Sequence, residues 1–118
     1  MSSIVINKNN ISVSVSVVVF KDGDYYIAYC PSLDLAGYDE TVDSAKDDFM
    51  QMLSEYFEWQ IEHNTLEKDL TKHGWKIGVK SRKEPKFADM IQSNKELRRV
   101  VDRFDYSKTS VNFVKSVS

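Results

Sequence analysis

The sequence predicts an α+β protein built as a two-layer sandwich, in which a mostly antiparallel sheet has one face covered by helix. Three observations predict this fold class. Residues 11–20 alternate between apolar and serine positions, an Asp-Gly step separates two strand-like runs, and residues 42–62 carry an apolar stripe at helical spacing. At 118 residues the chain is long enough to bury a core as one domain.

The first three predicted strands follow one another as a meander. Residues 11–20 form the first, with β-branched side chains on its buried face. The Asp22-Gly23 step then predicts a type I′ hairpin turn, whose two central residues both need positive φ. Residues 25–30 form the second strand, which Pro31 ends because proline has no amide hydrogen. Residues 35–39 form the third, where Gly37 supplies a bulge or a close backbone approach.

The helix over residues 42–62 follows, and Thr41 is its predicted N-cap. Thr65 is expected to cap a second helix over residues 66–73, with Gly74 just past its end. Residues 75–80, the run WKIGVK, are interpreted as the last core strand. The predicted order is therefore β-β-β-α-(α)-β.

A change in composition at residue 81 divides the chain into a domain over residues 1–80 and a C-terminal extension over residues 81–118. The extension is expected to be dependent on the domain rather than an independent unit. It contains two predicted short helices, 87–92 and 95–104, with Asn94 as the cap of the second. Residues 109–117 alternate weakly and are predicted to be an edge or exchanged strand.

A set of turn, strand-end and helix-start residues carries a family resemblance: Gly23, Tyr26-x-Ala28-x-x-Pro31-x-Leu33, Gly37 and Thr41-x-x-x-Ala45. On these residues the chain resembles the HicB-like antitoxin family over about residues 11–80. Three departures stand out. Ser44 occupies the position of a family glutamate, so the reciprocal half of a capping box is expected to be missing. Residues 34–36 lengthen the loop, and Glu40 or its neighbour replaces a family glycine.

The resemblance implies a partial RNase H-like fold without nuclease activity. Such proteins neutralise a small RNA-cleaving toxin of the HicA type, and many of them carry a C-terminal DNA-binding module. No such module is predicted here, because residues 75–80 are already needed by the sheet. A homodimer or higher homo-oligomer is expected. The alternatives are a nucleic-acid-binding transcriptional regulator and a self-assembling module without a toxin.

Two sets of residues are candidate partner-binding positions. Tyr25 and Tyr29 lie on the strand face opposite Tyr26 and Ala28, and exposed tyrosines are good interface anchors. Burial under the C-terminal extension is the competing interpretation for this pair. Acidic residues of the following loop would attract a basic toxin: Asp34, Asp39 and Glu40.

Basic residues in the extension are weaker candidates for contacts with DNA or RNA phosphates: Lys80, Arg82, Lys83, Lys86, Arg98 and Arg99. A solvated surface partly balanced by neighbouring acids is the simpler interpretation. The formal net charge of -2 gives no overall attraction to nucleic acid.

The sequence predicts no catalytic residue, no metal site and no cofactor. The carboxylates between residues 22 and 48 occupy turns and a helix start rather than adjacent strands facing one cleft. His63 and His73 lack partners at ligand spacing, and Cys30 has no histidine nearby in the sequence. With a lone cysteine, no signal sequence and no apolar run long enough to span a bilayer, a cytoplasmic protein is expected.

Overall fold

The computed structural model describes residues 2–116, and it confirms the predicted α+β fold class. Seven strands form one antiparallel sheet, accompanied by four helices. In chain order the elements are β1 (Ser3–Ile6), β2 (Asn10–Asp22), β3 (Tyr25–Cys30), β4 (Leu35–Asp39), α1 (Val42–Glu62), α2 (Leu66–Lys72), β5 (Lys76–Ile77), β6 (Ser81–Lys83), α3 (Phe87–Ser93), α4 (Lys95–Arg103) and β7 (Tyr106–Ser116). Within residues 2–116, no helix is long and apolar enough to cross a membrane.

Strand β2 is the centre of the sheet and has three partners. Along one edge it pairs with the whole of β7, from Asn10 opposite Ser116 to Phe20 opposite Tyr106. Its other edge is shared, because β1 pairs with residues 11–14 and β3 pairs with residues 18–22. The sheet therefore forks beside Ser16 and continues as β3–β4 in one direction and as β1–β6–β5 in the other.

The Glu84 carboxylate fills this fork. The backbone N–H of Ser16, which has no strand partner on that edge, donates to both Glu84 oxygens at 3.1 and 3.3 Å. The Ser32 hydroxyl donates to Glu84 as well, and the Glu84 N–H donates to the Ser2 carbonyl at 3.2 Å. The carboxylate thus satisfies a backbone donor that would otherwise be buried without a partner.

The two faces of the sheet are covered unequally. The large core lies between the sheet and helices α1 and α2, and its fully buried aromatic side chains are Phe49 and Phe57. The opposite face is covered only around Val18, Phe20 and Tyr29, where α3 and α4 contribute Met90, Leu97 and Val100. The main two-layer sandwich therefore carries a smaller helical layer on its second face.

Helix α1 begins and ends as predicted, but its N-terminus corrects one expectation. Thr41 accepts a hydrogen bond from the Ser44 N–H at 3.1 Å, and the Ser44 hydroxyl accepts from the Thr41 N–H at 3.3 Å. The capping box is therefore complete, because a serine hydroxyl reaches the N-cap amide as a glutamate would.

The other caps were predicted with mixed success. Gly74 has a φ of +89° just past α2, and Asn94 caps α4 by accepting from the Leu97 N–H at 3.0 Å, both as expected. Thr65 was expected to cap α2, but its hydroxyl donates to Gln60 instead and makes no capping bond.

The prediction that residues 75–80 form the last core strand was wrong. Only Trp75 is buried, and its indole N–H donates to the Ser32 carbonyl at 2.8 Å. The strand that follows is the two-residue β5, which is exposed, and Val79 is fully solvated. The interior position next to β2 belongs to β1, which sequence reasoning missed because four residues carry too short a period to detect.

The hairpin between β2 and β3 forms, but its turn differs from the predicted type. Asp22 pairs with Tyr25, so the central residues are Gly23 and Asp24. Gly23 has a φ of +63°, whereas Asp24 is not in the positive region. One positive φ at the first central residue fits a type II′ turn rather than type I′.

The C-terminal strand is longer than expected. Predicted from residue 109, it begins at Tyr106 and lies at an edge of the sheet against the chain's own β2. The expectation also included Val117, which lies outside the described residues.

Candidate functional site

Two exposed tyrosines form a patch at the end of the sheet where β3 begins and β4 ends. Tyr25 is 47% exposed and Tyr38 is 64% exposed. Their rings meet edge to face, with centroids 6.0 Å apart at an interplanar angle of 87°. The two side chains lie on the same face of the sheet. Tyr38 pairs with Ile27, and Tyr25 is two residues from Ile27 on the same strand. We call Tyr25 and Tyr38 the tyrosine patch.

Carboxylates surround the tyrosine patch. Four exposed acids lie on the adjoining hairpin and the β4–α1 connection: Asp22, Asp24, Asp39 and Glu40. Asp39 accepts from the Glu40 N–H at 2.7 Å, and Asp48 on α1 accepts from the Tyr38 N–H at 3.0 Å. These bonds hold two of the acids against the backbone that carries the patch.

The charge of the chain is strongly segregated along its length. Residues 22–67, the acidic segment, contain twelve Asp or Glu residues and one Lys. Residues 68–116, the basic segment, contain thirteen Lys or Arg residues and six Asp or Glu residues. The near-zero net charge is therefore the sum of two chain segments of opposite sign. The acidic segment comprises the hairpin turn, β3, β4 and α1, and the basic segment comprises β5 to β7 with α3 and α4.

Tyr29, a predicted surface anchor, is buried instead. It is 5% exposed and packs beneath α3 and α4 with Met90, Leu97 and Val100. Its hydroxyl donates to Asp34 at 2.9 Å and accepts from the Asn94 amide at 3.1 Å, and burial raises the pKa of the phenol. Of the two interpretations of Tyr29, exposure was wrong and burial under the C-terminal extension is confirmed, because α3 and α4 cover this part of the sheet.

The predicted acidic positions do not converge on one site. Asp39 and Glu40 lie beside Tyr25 at one end of β3, since Asp39 pairs with Tyr26. Asp34 lies at the other end, in a turn with a φ of +54°, and its carboxylate is engaged by Tyr29. The structure therefore joins Tyr25, Asp39 and Glu40, and it separates Asp34 and Tyr29 from them.

The residues that carry the family resemblance occupy structural positions. Gly37 faces the α1 backbone so closely that a Cβ built there would lie 2.6 Å from the Phe49 Cα. Ala28 and Ala45 are fully buried, and Thr41 caps α1. The remaining members shape the turn and the strand end: Gly23, Tyr26, Pro31 and Leu33. Gly37 thus makes a close backbone approach, one of the two alternatives predicted.

The three arginines among the basic candidates are engaged within the chain. Arg82 pairs with Glu67 at 2.5 Å, and only 13% of its side chain is exposed. Arg98 donates to backbone carbonyls of α3 at 3.2 and 2.5 Å. Arg99 pairs with Glu96 at 2.6 Å. These intrachain contacts occupy the three guanidinium groups, and a contact with phosphate stays a prediction for them.

The lysine candidates are open to solvent, and two of them, Lys83 and Lys86, line a groove. Lys80, Lys83 and Lys86 are exposed. Two clefts of about 590 Å³ each meet at His73, Gly74, Met90 and Ser93 between α2 and α3. Five lysines line them together: Lys72, Lys76, Lys83, Lys86 and Lys95. The groove also contains four acids, so its charge is mixed: Asp34, Glu84, Asp89 and Glu96.

The single cysteine and the two histidines have ordinary structural surroundings. Cys30 is fully buried next to Ser32, and burial raises the pKa of its thiol to about 12. The Nδ1 atoms of His63 and His73 each lie 2.8 Å from a carbonyl oxygen near a helix end. Among residues 2–116, no three His, Cys, Asp or Glu residues are grouped so that they could hold a metal ion.

Three residues of interest escaped sequence reasoning. Tyr38 joins the tyrosine patch only through the β3–β4 register. Trp59 is 53% exposed on α1 and stacks on His63 with ring centroids 4.0 Å apart. A helical wheel would have placed Trp59 outside the apolar stripe. Glu84 shows no sequence signal, because its partner Ser16 is 68 residues away.

No protein-family model, curated protein or solved structure matched this chain.

Proposed function

We propose that this chain is a non-catalytic binding protein of the HicB-like antitoxin kind, which acts in the cytoplasm on a small RNA-cleaving toxin of the HicA type. The observation that carries the proposal is the acidic segment with the tyrosine patch at its margin. A protein that binds RNA needs a cationic surface. An anionic partner surface competes with phosphate for those cations and accelerates encounter.

The tyrosine patch supplies binding affinity, of which surface carboxylates contribute little. Surface ion pairs add little affinity each, because water and salt screen them. An exposed tyrosine offers a large apolar ring and a polar hydroxyl, and such side chains dominate the binding energy of many interfaces. Tyr25 and Tyr38 already contact each other, so ordering them in a complex costs less entropy than ordering two isolated rings.

Placement of the resemblance residues gives further support. Three of these residues lie where β4 meets α1: Gly37, Thr41 and Ala45. Residues at this contact hold the helix against the sheet, which is a role that members of one fold family would share. These residues stabilise the fold, and the adjoining acidic surface is then available to bind a partner.

The experiment is a tagged pull-down from the native cells, with bound protein and nucleic acid both identified, followed by reconstitution. The expected partner is a small basic protein that cleaves RNA alone and is inhibited by the purified chain at fixed stoichiometry. The double variant Tyr25→Ala, Tyr38→Ala should weaken inhibition about tenfold or more. Tyr106→Ala, an exposed tyrosine at the other edge of the sheet, is the matched control and should inhibit normally.

Recovery of the chain alone would contradict the proposal and favour a self-assembling module without a toxin. Equal inhibition by the double variant and by wild type would show that the tyrosine patch is not the toxin-binding surface. Circular dichroism of both variants establishes that neither result reflects unfolding.

A second candidate function is transcriptional regulation through nucleic-acid binding, and the basic segment favours it. The lysines of the α2–α3 groove have no ion pair among the described contacts, unlike Arg82 and Arg99. If this surface binds DNA or RNA, affinity should fall steeply with salt. The double variant Lys83→Ala, Lys86→Ala should weaken binding and reduce the salt slope, whereas Lys8→Ala, in the β1–β2 turn, should change neither. Binding that is independent of salt would exclude this function.

A further inference from the structure

Strand β7 presents a long, regular edge to solvent. Its eleven residues pair with β2 in one unbroken register, without a bulge. No strand within residues 2–116 pairs with the opposite edge of β7. An edge of this kind offers a row of backbone donors and acceptors to any further strand.

The hairpin geometry shows which backbone groups face outward. Asp22 and Tyr25 close a two-residue turn and form a hydrogen-bonded pair, so the even-numbered residues of β2 direct their N–H and C=O groups towards β3. The Ser16 N–H, which donates to Glu84, points to the same side. The odd-numbered residues of β2 therefore bond β7, through odd-numbered partners such as Val111 opposite Val15. The outward-facing backbone groups belong to Lys108, Ser110, Asn112 and Val114.

Of the devices that usually protect an edge strand, β7 contains only two lysines. Residues 106–116 contain no proline and no acidic residue. The ammonium of Lys108 lies over the Phe87 ring, 4.6 Å from its centroid. That of Lys115 lies 3.1 Å from the Ser54 hydroxyl and 3.6 Å from Glu58. Both lysines are thus engaged on the faces of the sheet rather than along its edge.

We propose that the outer edge of β7 pairs with the same edge of a second copy of this chain, antiparallel about a two-fold axis near Val111. The two sheets then form one continuous sheet across the dimer. A two-fold axis makes the contact self-complementary and closes it at two copies. The proposal does not depend on the toxin-binding function, because β7 and the tyrosine patch lie at opposite edges of the sheet.

The side chains of β7 suit self-pairing in this register. With Val111 on the axis, Ser110 faces Asn112 and Lys108 faces Val114 of the second copy. Lys115 faces Ser107, so no two lysines meet. Val114 is 65% exposed in the single chain, and the aliphatic part of the facing Lys108 would cover it.

The test is the mass of the full chain in solution over a wide range of concentration, by light scattering or ultracentrifugation. Wild type should reach twice 13.6 kDa. Ser110→Pro removes an outward N–H without touching a bond to β2, so it should weaken dimerisation about tenfold or more while the chain stays folded. The double variant Ser110→Lys, Asn112→Lys places like charges opposite each other and should act similarly.

Two further variants examine the axis. Ser110→Glu with Asn112→Lys places opposite charges across the two-fold axis and should restore the dimer. Val111→Cys should form a disulfide between copies under oxidising conditions, whereas the buried Cys30 of wild type should not. A wild-type monomer at every concentration would overturn the proposal. So would a dimer that Ser110→Pro and the double-lysine variant leave intact, because that dimer would use another surface.

Discussion

Gly37→Ala tests the close approach of β4 to the backbone of α1. A Cβ at this position would lie 2.6 Å from the Phe49 Cα and 2.7 Å from the Ala45 carbonyl oxygen. Carbon atoms in contact prefer about 3.5–4.0 Å, so α1 would have to move away by about 1 Å. Overpacking of a core costs about 1–3 kcal/mol when side chains can adjust, and here the obstacle is helix backbone. We expect a loss of about 3 kcal/mol or more in the free energy of unfolding.

Urea unfolding monitored by circular dichroism measures this loss. With an m-value of about 1–3 kcal/mol/M, the midpoint should fall by about 1 M or more. Gly23→Ala is the matched control, because a Cβ there meets nothing within 4 Å and only the positive φ of +63° opposes it. That strain is worth about 1–2 kcal/mol. A loss for Gly37→Ala no larger than that for Gly23→Ala would refute the close-approach explanation.

Three further predictions concern buried or capping groups. Glu84→Ala should cost about 1–3 kcal/mol by leaving the Ser16 N–H unpaired, and a urea midpoint equal to that of wild type would count against this role of Glu84. Thr41→Ala should cost about 1 kcal/mol, measured the same way, and an unchanged midpoint would mean that the cap bond to Ser44 contributes nothing. Because burial holds the pKa of Cys30 at about 12, a maleimide should label native protein far more slowly than urea-unfolded protein. The unfolded thiol ionises first, so the free energy of unfolding should fall as pH rises from about 8.5 towards 12, and Cys30→Ser should remove that part of the slope.

Much of the fold followed from local patterns. The apolar stripe and Thr41 predicted the bounds of α1, and the β3 and β4 ranges were also correct. The errors lie where the local signal was short or ambiguous. β1 has only four residues, and the run 75–80 looks like a strand although its residues do not continue the sheet beside β2. A single apolar Trp75 anchoring an exposed hairpin gives the same local pattern as the start of a buried strand.

The candidate site was predictable only in part. Tyr25 was a candidate together with Tyr29, and Asp39 and Glu40 were candidates together with Asp34, so only the pairing of β3 with β4 brings Tyr25, Asp39 and Glu40 to one margin. Tyr38 was missed, and for Tyr29 the sequence left both exposure and burial under the C-terminal extension open. Alternation along a strand shows that two side chains share a face, but it does not show which part of that face another element covers.

The sequence by itself determined the fold class, the central meander, the long capped helix and the segregation of charge, because period, caps, turns and composition act over a few residues. The tertiary structure decided what depends on residues far apart in the chain. It buried Tyr29 beneath the C-terminal helices, placed Glu84 in the fork beside Ser16, and paired only one edge of β7 with a strand of residues 2–116. Which strand finds which edge follows from the competition among all possible long-range pairings, and no local pattern contains that information.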